Sequence, residues 1–472
     1  MNLKRVPSPE KRMEMEKKKY VQRLRFAVIL VLILSFIGGC LGKKEVLEPL
    51  QPSKIKLVYQ DEEAFYHDYG KYFSMKYPQI EVEVIPEVQV LKNLGKMIRA
   101  DEYEAEVKKL LEKADVDVYM LDSGMFEQFA ADGKLYDIGE VIGQDGYNVE
   151  EFMPGLIDSI KNLGNGKLYG LTPQVSVRAL YYNTKLFKEN QIDPPTNKMT
   201  WQEVLHLASR FTNVKQGNDP VHGMYYSYGD AGTVMFDIAD SSGLKLFDPK
   251  GEKVLINSDS WKKAIKLATD AVRSEAVYFA PEEQIYPSEN DFYNGQAAMT
   301  IGTTPITGFV RNNDVPVDWE VVTFPIEPGY ESIGVSLYSL FAVSANSPNK
   351  RAAWEFVKFT SGPEMAHARS RTMSGAMPSR TGYLKEFKGK SMEAFYMLNV
   401  KNRDSIGGNV SESEFYRLFN KTLEGELQAV IDNKKSVDEA AAALEIKGQE
   451  ILSKLQEESK KKAIGSSKEA HK

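Results

Sequence analysis

Short apolar strands alternate with amphipathic helices, and that alternation limits the chain to a small set of folds. Ile55-Lys-Leu-Val-Tyr59 reads as a strand and ends in the acidic run Gln60-Asp-Glu-Glu63. A helical stretch follows and is stopped by Pro78, after which Ile80-Glu-Val-Glu-Val-Ile85 alternates again. Residues 91–114 have helical periodicity, and Asp117-Val-Tyr-Met-Leu121 reads as a buried strand carrying Asp122-Ser123-Gly124 at its end. Strand, helix and strand in this order predict a parallel sheet with crossover helices. In such sheets ligands lie beyond the carboxyl ends of the strands, which places Tyr59–Glu62 and Asp122–Ser123 at a binding edge.

The N-terminus does not belong to that domain. Residues 1–25 hold nine basic side chains against three glutamates, and the apolar run Phe26–Ile37 leads to Gly38-Gly39-Cys40. A basic flank, a short apolar core and small residues at its end form a secretory signal. At about 1.5 Å per residue the run falls short of a bilayer's roughly 30 Å hydrocarbon core, which argues against a permanent span. Cys40 is the chain's one cysteine, and Ile37-Gly38-Gly39-Cys40 resembles the lipobox of bacterial lipoproteins. That resemblance implies diacylglycerol on the Cys40 thiol, cleavage before it, and a location on the extracytoplasmic face of the cell membrane. Removing residues 1–39 takes the formal charge from −6 to about −12, which excludes the basic footprint of a nucleic-acid binder. With one cysteine no internal disulfide is available, so packing alone stabilises the fold.

Leu168–Pro173 followed by Val177-Arg-Ala-Leu-Tyr-Tyr-Asn183 reads as a crossover between domains, and Thr200-Trp-Gln-Glu203 reads as a capping box. Residues 411–459 have helical character and 461–472 read as a frayed polar tail. The five histidines do not cluster, and no phosphate-binding glycine loop, zinc-protease helix or serine elbow is present. Tyr181 and Tyr182 adjoin in a strand and face opposite sides, which argues against their sharing a metal. The reading includes no metal, no cofactor and no enzyme activity.

Five further segments give the chain its family resemblance. Leu180-Tyr-Tyr-Asn-Thr-Lys-Leu-Phe187, Thr200-Trp-Gln-Glu-Val-Leu205, Phe292-Tyr-Asn-Gly-Gln-Ala-Ala-Met-Thr-Ile-Gly302, Phe341–Lys350 with Ala353-Trp-Glu-Phe356, and Ser436-Val-Asp-Glu-Ala440 occur in that order. Together they resemble the extracellular solute-binding proteins of ATP-binding-cassette importers that include maltose-binding protein. The resemblance implies an α/β, two-lobe periplasmic-binding-protein-like fold with hinge crossovers and an interlobe cleft. Polar composition with two prolines makes 40–53 a tether, and the resemblance sets lobe one at 54–174 plus 336–374 and lobe two at 175–335 plus 375–460. It implies a monomer that holds a small polar solute, most simply a sugar or oligosaccharide, and delivers it to the transmembrane subunits of a permease. Two other classes share parts of the pattern: a surface sensor with an identical cleft, and a glycan-acting enzyme using two carboxylates.

The resemblance and the strand ends together nominate Gln60, Asp61, Asp122, Ser123, Gln174, Ser176, Thr303, Thr304, Tyr338 and Tyr416 as ligand-binding residues. Relatives place a stacking tryptophan after the alanine–methionine strand, where this chain has Thr303 and Thr304. Tyr59, Tyr226, Tyr228 and Tyr338 are the aromatic residues that could stack on a sugar instead, while Trp201, Trp261, Trp319 and Trp354 read as core. Cys40→Ala should release the protein from the membrane or leave an unprocessed precursor. Mature-sized protein retained on membranes after fractionation would refute the anchor.

Overall fold

A computed structural model describes residues 46–88, 100–281, 290–303, 317–335, 337, 339–372, 376–402 and 412–469. The leader, Cys40, Thr304 and Tyr338 lie outside these residues. Residues Met1–Glu48 and Pro49–Lys472 are two separate units, and the second contains all the elements described below.

In chain order the first strands are β1 Ser53–Tyr59, β2 Ile80–Pro86, β3 Val118–Leu121, β4 Gly170–Leu171, β5 Gln174–Val175, β6 Arg178–Asn183 and β7 His222–Tyr226. They continue as β8 Val277–Phe279, β9 Ala297–Thr303, β10 Trp319–Thr323, β11 Ser332–Val335, β12 Leu340–Val343, β13 Met377–Pro378 and β14 Asn399–Asn402. Two short hairpins at 215–220 and 386–391 stand apart from them.

Two five-stranded sheets share one design. The first runs β2-β1-β3-β12-β4 and the second β8-β7-β9-β6-β10. In each, the first three strands are parallel, the fourth is antiparallel to its neighbours, and the fifth pairs antiparallel with the fourth. The reversed strands, β6 and β12, are those on which the chain arrives from the other sheet. Residues 172–177 leave the carboxyl end of β4 and enter β6 at its start, which lies on the carboxyl edge of the second sheet. Six residues reach at most about 20 Å, so the two carboxyl edges are brought close together. Residues 324–339 make the converse passage from β10 to β12.

Helices cover the sheets because the parallel strands are apolar on both faces. Ala297, Ala298 and Met299 of β9 are fully buried in succession. In the first lobe, Phe356 of the helix Lys350–Thr360 meets Phe73, Phe341 and Phe65 with ring centres 5.0, 5.7 and 5.9 Å apart. In the second, Gly223 of β7 is needed because a Cβ there would lie 2.1 Å from the Ala208 carbonyl of the helix Trp201–Ser209. That helix starts with the expected capping box at Thr200 and Glu203. All four tryptophans are buried.

The ends of the chain depart from expectation. The helical run foreseen over 411–459 is two helices, Glu412–Ile431 and Val437–Glu469. Asn433 takes a left-handed backbone, φ 56°, and Ser436 accepts the Glu439 N–H at 3.2 Å, so the second helix has its own cap. It runs to Glu469, past residue 461 where the frayed tail was expected.

Residues 377–381, expected in lobe two, are held by the first lobe. Arg380, 1% exposed, donates to the carbonyls of Ser361 at 2.7 Å and Asn148 at 3.0 Å, and to Glu151 at 2.9 Å. Its guanidinium also lies 4.9 and 4.5 Å from the ring centres of Tyr147 and Phe152. Arg380→Met strands two carbonyls and should lower unfolding stability by about 2–3 kcal/mol. Glu151→Gln, altering a half-exposed partner, should cost less than about 1 kcal/mol in the same denaturant titration.

Candidate functional site

The six residues 174–179 alternate strictly. Val175, Val177 and Ala179 are buried, while Gln174, Ser176 and Arg178 are half-buried on the opposite face. Successive side chains of an extended chain point to opposite sides, so this crossing presents a polar row while its other face packs. Each end of the row is gripped by a different lobe. The Gln174 carboxamide oxygen accepts from Arg369 Nη1 at 2.8 Å. The Arg178 guanidinium donates to Asp237 and, at 2.8 Å, to Asp240. Ser176 between them has no hydrogen-bond partner among the described residues.

The first lobe adds a polar rim. Asp61 follows β1 and accepts the Ala64 N–H at 2.8 Å; Asp122 follows β3 and accepts the Met125 N–H at 2.8 Å. Both aspartates are N-caps, and because β1 and β3 adjoin, the two lie side by side. A carboxylate has about four lone-pair sites, so a cap leaves each one able to accept more. Gln60 beside Asp61 is exposed. The Ser123 hydroxyl both accepts from the Leu337 N–H and donates to its carbonyl, each at 3.2 Å, which braces the second crossing. Tyr59 is buried and donates to Asp68 at 2.7 Å; burial, then Tyr69 and Asp68, hold its phenol well above the ordinary range. Burial likewise pushes Tyr69 up to about 12, against the opposing effect of Arg369, whose guanidinium lies 4.7 Å from the Tyr69 ring centre.

The second lobe contributes charge that is already neutralised. Burial alone would lower the Arg178 pKa, but Asp237 and Asp240 outweigh it and hold the guanidinium above its ordinary value. Its other side lies 4.4 Å from the ring centre of Phe324. Tyr226 is buried and donates to Asp237 at 3.1 Å. Gly334 of β11 is required at this point, because a Cβ would sit 2.3 Å from Asp240 Oδ1. Lys401 of β14 contacts Tyr330 and lies 3.9 Å from Asp240. Thr303 is exposed at the end of β9, opposite Arg178 in register. Tyr228, just past β7, is 79% exposed beside Gly229, whose φ of 114° turns the chain into the helix Ala231–Ser241.

Comparison with known proteins decides the family. The model of the bacterial extracellular solute-binding proteins matches residues 93–395, well over half of the chain. The chain belongs to that family. Among curated relatives, the arabinooligosaccharide-binding protein of Bacillus subtilis is 24% identical over 389 residues, covering 79% of this chain and 84% of its own length. Among solved structures, a sugar transporter of Rhizobium etli in an open conformation superposes with a TM-score of 0.66 at 19% identity, covering 84% of this chain and 99% of that one. The sugar-binding protein MalE of Xanthomonas citri gives 0.65 at 18% identity, covering 85% and 98%. These likenesses establish the two-lobe fold.

In this solute-binding protein the nominated residues do not all have the same standing. Gln60, Asp61, Asp122, Ser123, Gln174, Ser176 and Thr303 all fall at the facing carboxyl edges or on the crossing between them. Tyr416 instead packs edge-on against Phe236 at 5.6 Å, between the helices Glu412–Ile431 and Ala231–Ser241. Asp237, Asp240, Arg369 and Lys401 had no local signal in the sequence. Arg178 could have been found, since it is a charge on a crossing strand whose other positions are apolar or neutral.

Among the described residues no group of three or more His, Cys, Asp or Glu could hold a metal ion. A cavity of about 630 Å³ opens at the opposite edge, by the amino ends of β1 and β2, where Lys54 pairs with Glu81 at 3.0 Å. Arg178→Met would leave Asp237 and Asp240 uncompensated and should cost about 3–5 kcal/mol of unfolding stability, partly recovered by adding Asp237→Asn.

Proposed function

We propose that the protein captures a carbohydrate outside the cell and presents it to the transmembrane subunits of an ATP-binding-cassette importer. The observation that carries this reading is the polar row Gln174–Ser176–Arg178, which lies between two facing strand edges and is gripped by both lobes. A polyhydroxylated ligand suits that setting. Asp61 and Asp122 accept from hydroxyls, Ser176 is unengaged among the described residues, and exposed Tyr228 offers an aromatic face to the C–H side of a sugar ring. Tyr59 and Tyr226 are unsuited to stacking because both are buried and hydrogen-bonded to aspartates.

The relatives point the same way. One curated relative is named for arabino-oligosaccharides, and an ABC substrate-binding protein of Listeria monocytogenes, similar in fold with a TM-score of 0.59 at 20% identity, was solved with cycloalternan. We take the lobes as 54–174 plus 336–381 and 175–335 plus 382–460, a division that the contacts of Arg380 with the first lobe support. The protein works as a monomer, tethered through acylated Cys40 and residues 41–53. Closure requires that ligand touch both lobes, since a ligand shifts a two-state equilibrium only by its differential affinity.

A thermal-shift panel of mono- and oligosaccharides, arabinotriose included, should raise the melting temperature of the purified chain. Tyr228→Ala should weaken sugar binding about three- to tenfold without changing stability, as expected for loss of one stacking contact. A shift with peptides or metals and none with any sugar would overturn the ligand class.

A further inference from the structure

Arg369 is the cation next to the polar row on the first-lobe side, and its role is not explained by stability alone. It belongs to the helix Pro363–Thr372, lies against the Tyr69 ring, and donates Nη1 to Gln174 Oε1 at 2.8 Å. Tyr69 is buried among Tyr59, Phe341 and Phe356, with ring centres 6.1, 5.4 and 6.4 Å away, so the platform beneath Arg369 cannot move freely. The backbone of Gln174 is held too. Its carbonyl accepts from the buried Thr172 hydroxyl at 2.8 Å, and it pairs with Pro378 of β13.

The chemistry dictates which way the carboxamide faces. A guanidinium has five donors and no acceptor, so an amide nitrogen turned toward it would set donor against donor. Gln174 must therefore give its oxygen to Arg369. That leaves the Nε2 hydrogens as the group offered on the polar face it shares with Ser176. We infer that Arg369 is a positioning residue that turns Gln174 into a dedicated hydrogen-bond donor to the ligand.

Resting on the reading of this cleft as a sugar site, the inference gives the cleft a donor held in one orientation, whereas Gln60 is exposed and the Ser176 hydroxyl rotates. Ionised Asp61 and Asp122 can only accept. They accept from sugar hydroxyls but cannot bind a ring or glycosidic oxygen, which itself only accepts. A fixed amide donor can bind such an oxygen, and an amide free to rotate would lose part of that advantage to the entropy of being ordered on binding.

Two substitutions separate positioning from structural support. Gln174→Glu keeps the contact with Arg369, now charge-assisted, but removes the donors. It should leave the unfolding midpoint unchanged or raised while weakening arabinotriose binding about tenfold, as read by calorimetry on the full chain. Arg369→Met removes the clamp and should weaken binding about three- to tenfold, whereas Arg369→Lys, still a donor, should restore most of the loss. In the unliganded chain, selectively labelled for glutamine, the Gln174 side-chain amide resonances should move in Arg369→Met and stay near their original positions in Arg369→Lys. Wild-type affinity in Gln174→Glu, or unmoved Gln174 amide signals in unliganded Arg369→Met, would overturn the inference. If the unsubstituted chain gives no heat with arabinotriose or any other sugar, the carbohydrate reading fails by itself, and the ligand-free amide signals still decide the role of Arg369.

Discussion

Alternation along residues 174–179 is the constraint on which the rest of the architecture turns. An extended strand sends successive side chains to opposite faces, so Val175, Val177 and Ala179 can pack only if Gln174, Ser176 and Arg178 stay on the other side. A slip of one residue would bury a guanidinium away from its aspartates and expose three apolar side chains, so the register cannot drift. Residues 172–177, which overlap this row, connect the lobes. Because of this, the element that joins the two cores also provides the polar floor between them.

The reversed fourth strand of each sheet follows from that short connection. A chain leaving one sheet at its carboxyl edge and reaching the facing edge of the other must then run away from the cleft, antiparallel to its neighbours. Both sheets solve the problem identically, and the solution is what sets their carboxyl edges opposite each other. Ribbons then reinforce the passages: β5 pairs with β13, and β11 with β14. Strand β14 is also held to the first lobe, where Ser159 donates to the Val400 carbonyl at 2.9 Å, while Gly334 of β11 comes within a Cβ's reach of Asp240 in the second. Arg178 is balanced by Asp237 and Asp240.

Features that depend on near neighbours along the chain are legible in the amino-acid sequence. They include the capping box at Thr200, the strands ending at Tyr59 and Leu121, the crossover after Pro173 and the burial of the tryptophans. Features that depend on distant partners are not. Residues 377–381 look like the start of a second-lobe segment, because nothing local shows that Arg380 reaches Ser361, Asn148 and Glu151. The break at 432–436 does carry a local signal, Asn433 ahead of the capping box Ser436–Glu439, which a reading of helical character alone passes over. Tyr416 is nominated by its place in the chain, yet its ring is spent on Phe236 and Phe415.

By itself the sequence determined the kind of fold, the order of its elements and the strand ends at which polar groups would gather, since periodicity and caps act over a few residues. Only the tertiary structure decided which polar groups are spent and which are offered. Ser123 braces Leu337, Gln174 gives its oxygen to Arg369, and Tyr228 alone of the tyrosines considered for stacking is exposed among the described residues. A side chain's capacity to bind depends on what its remaining donors and acceptors already touch, and the partners of Ser123 and Gln174 lie 214 and 195 residues away along the chain.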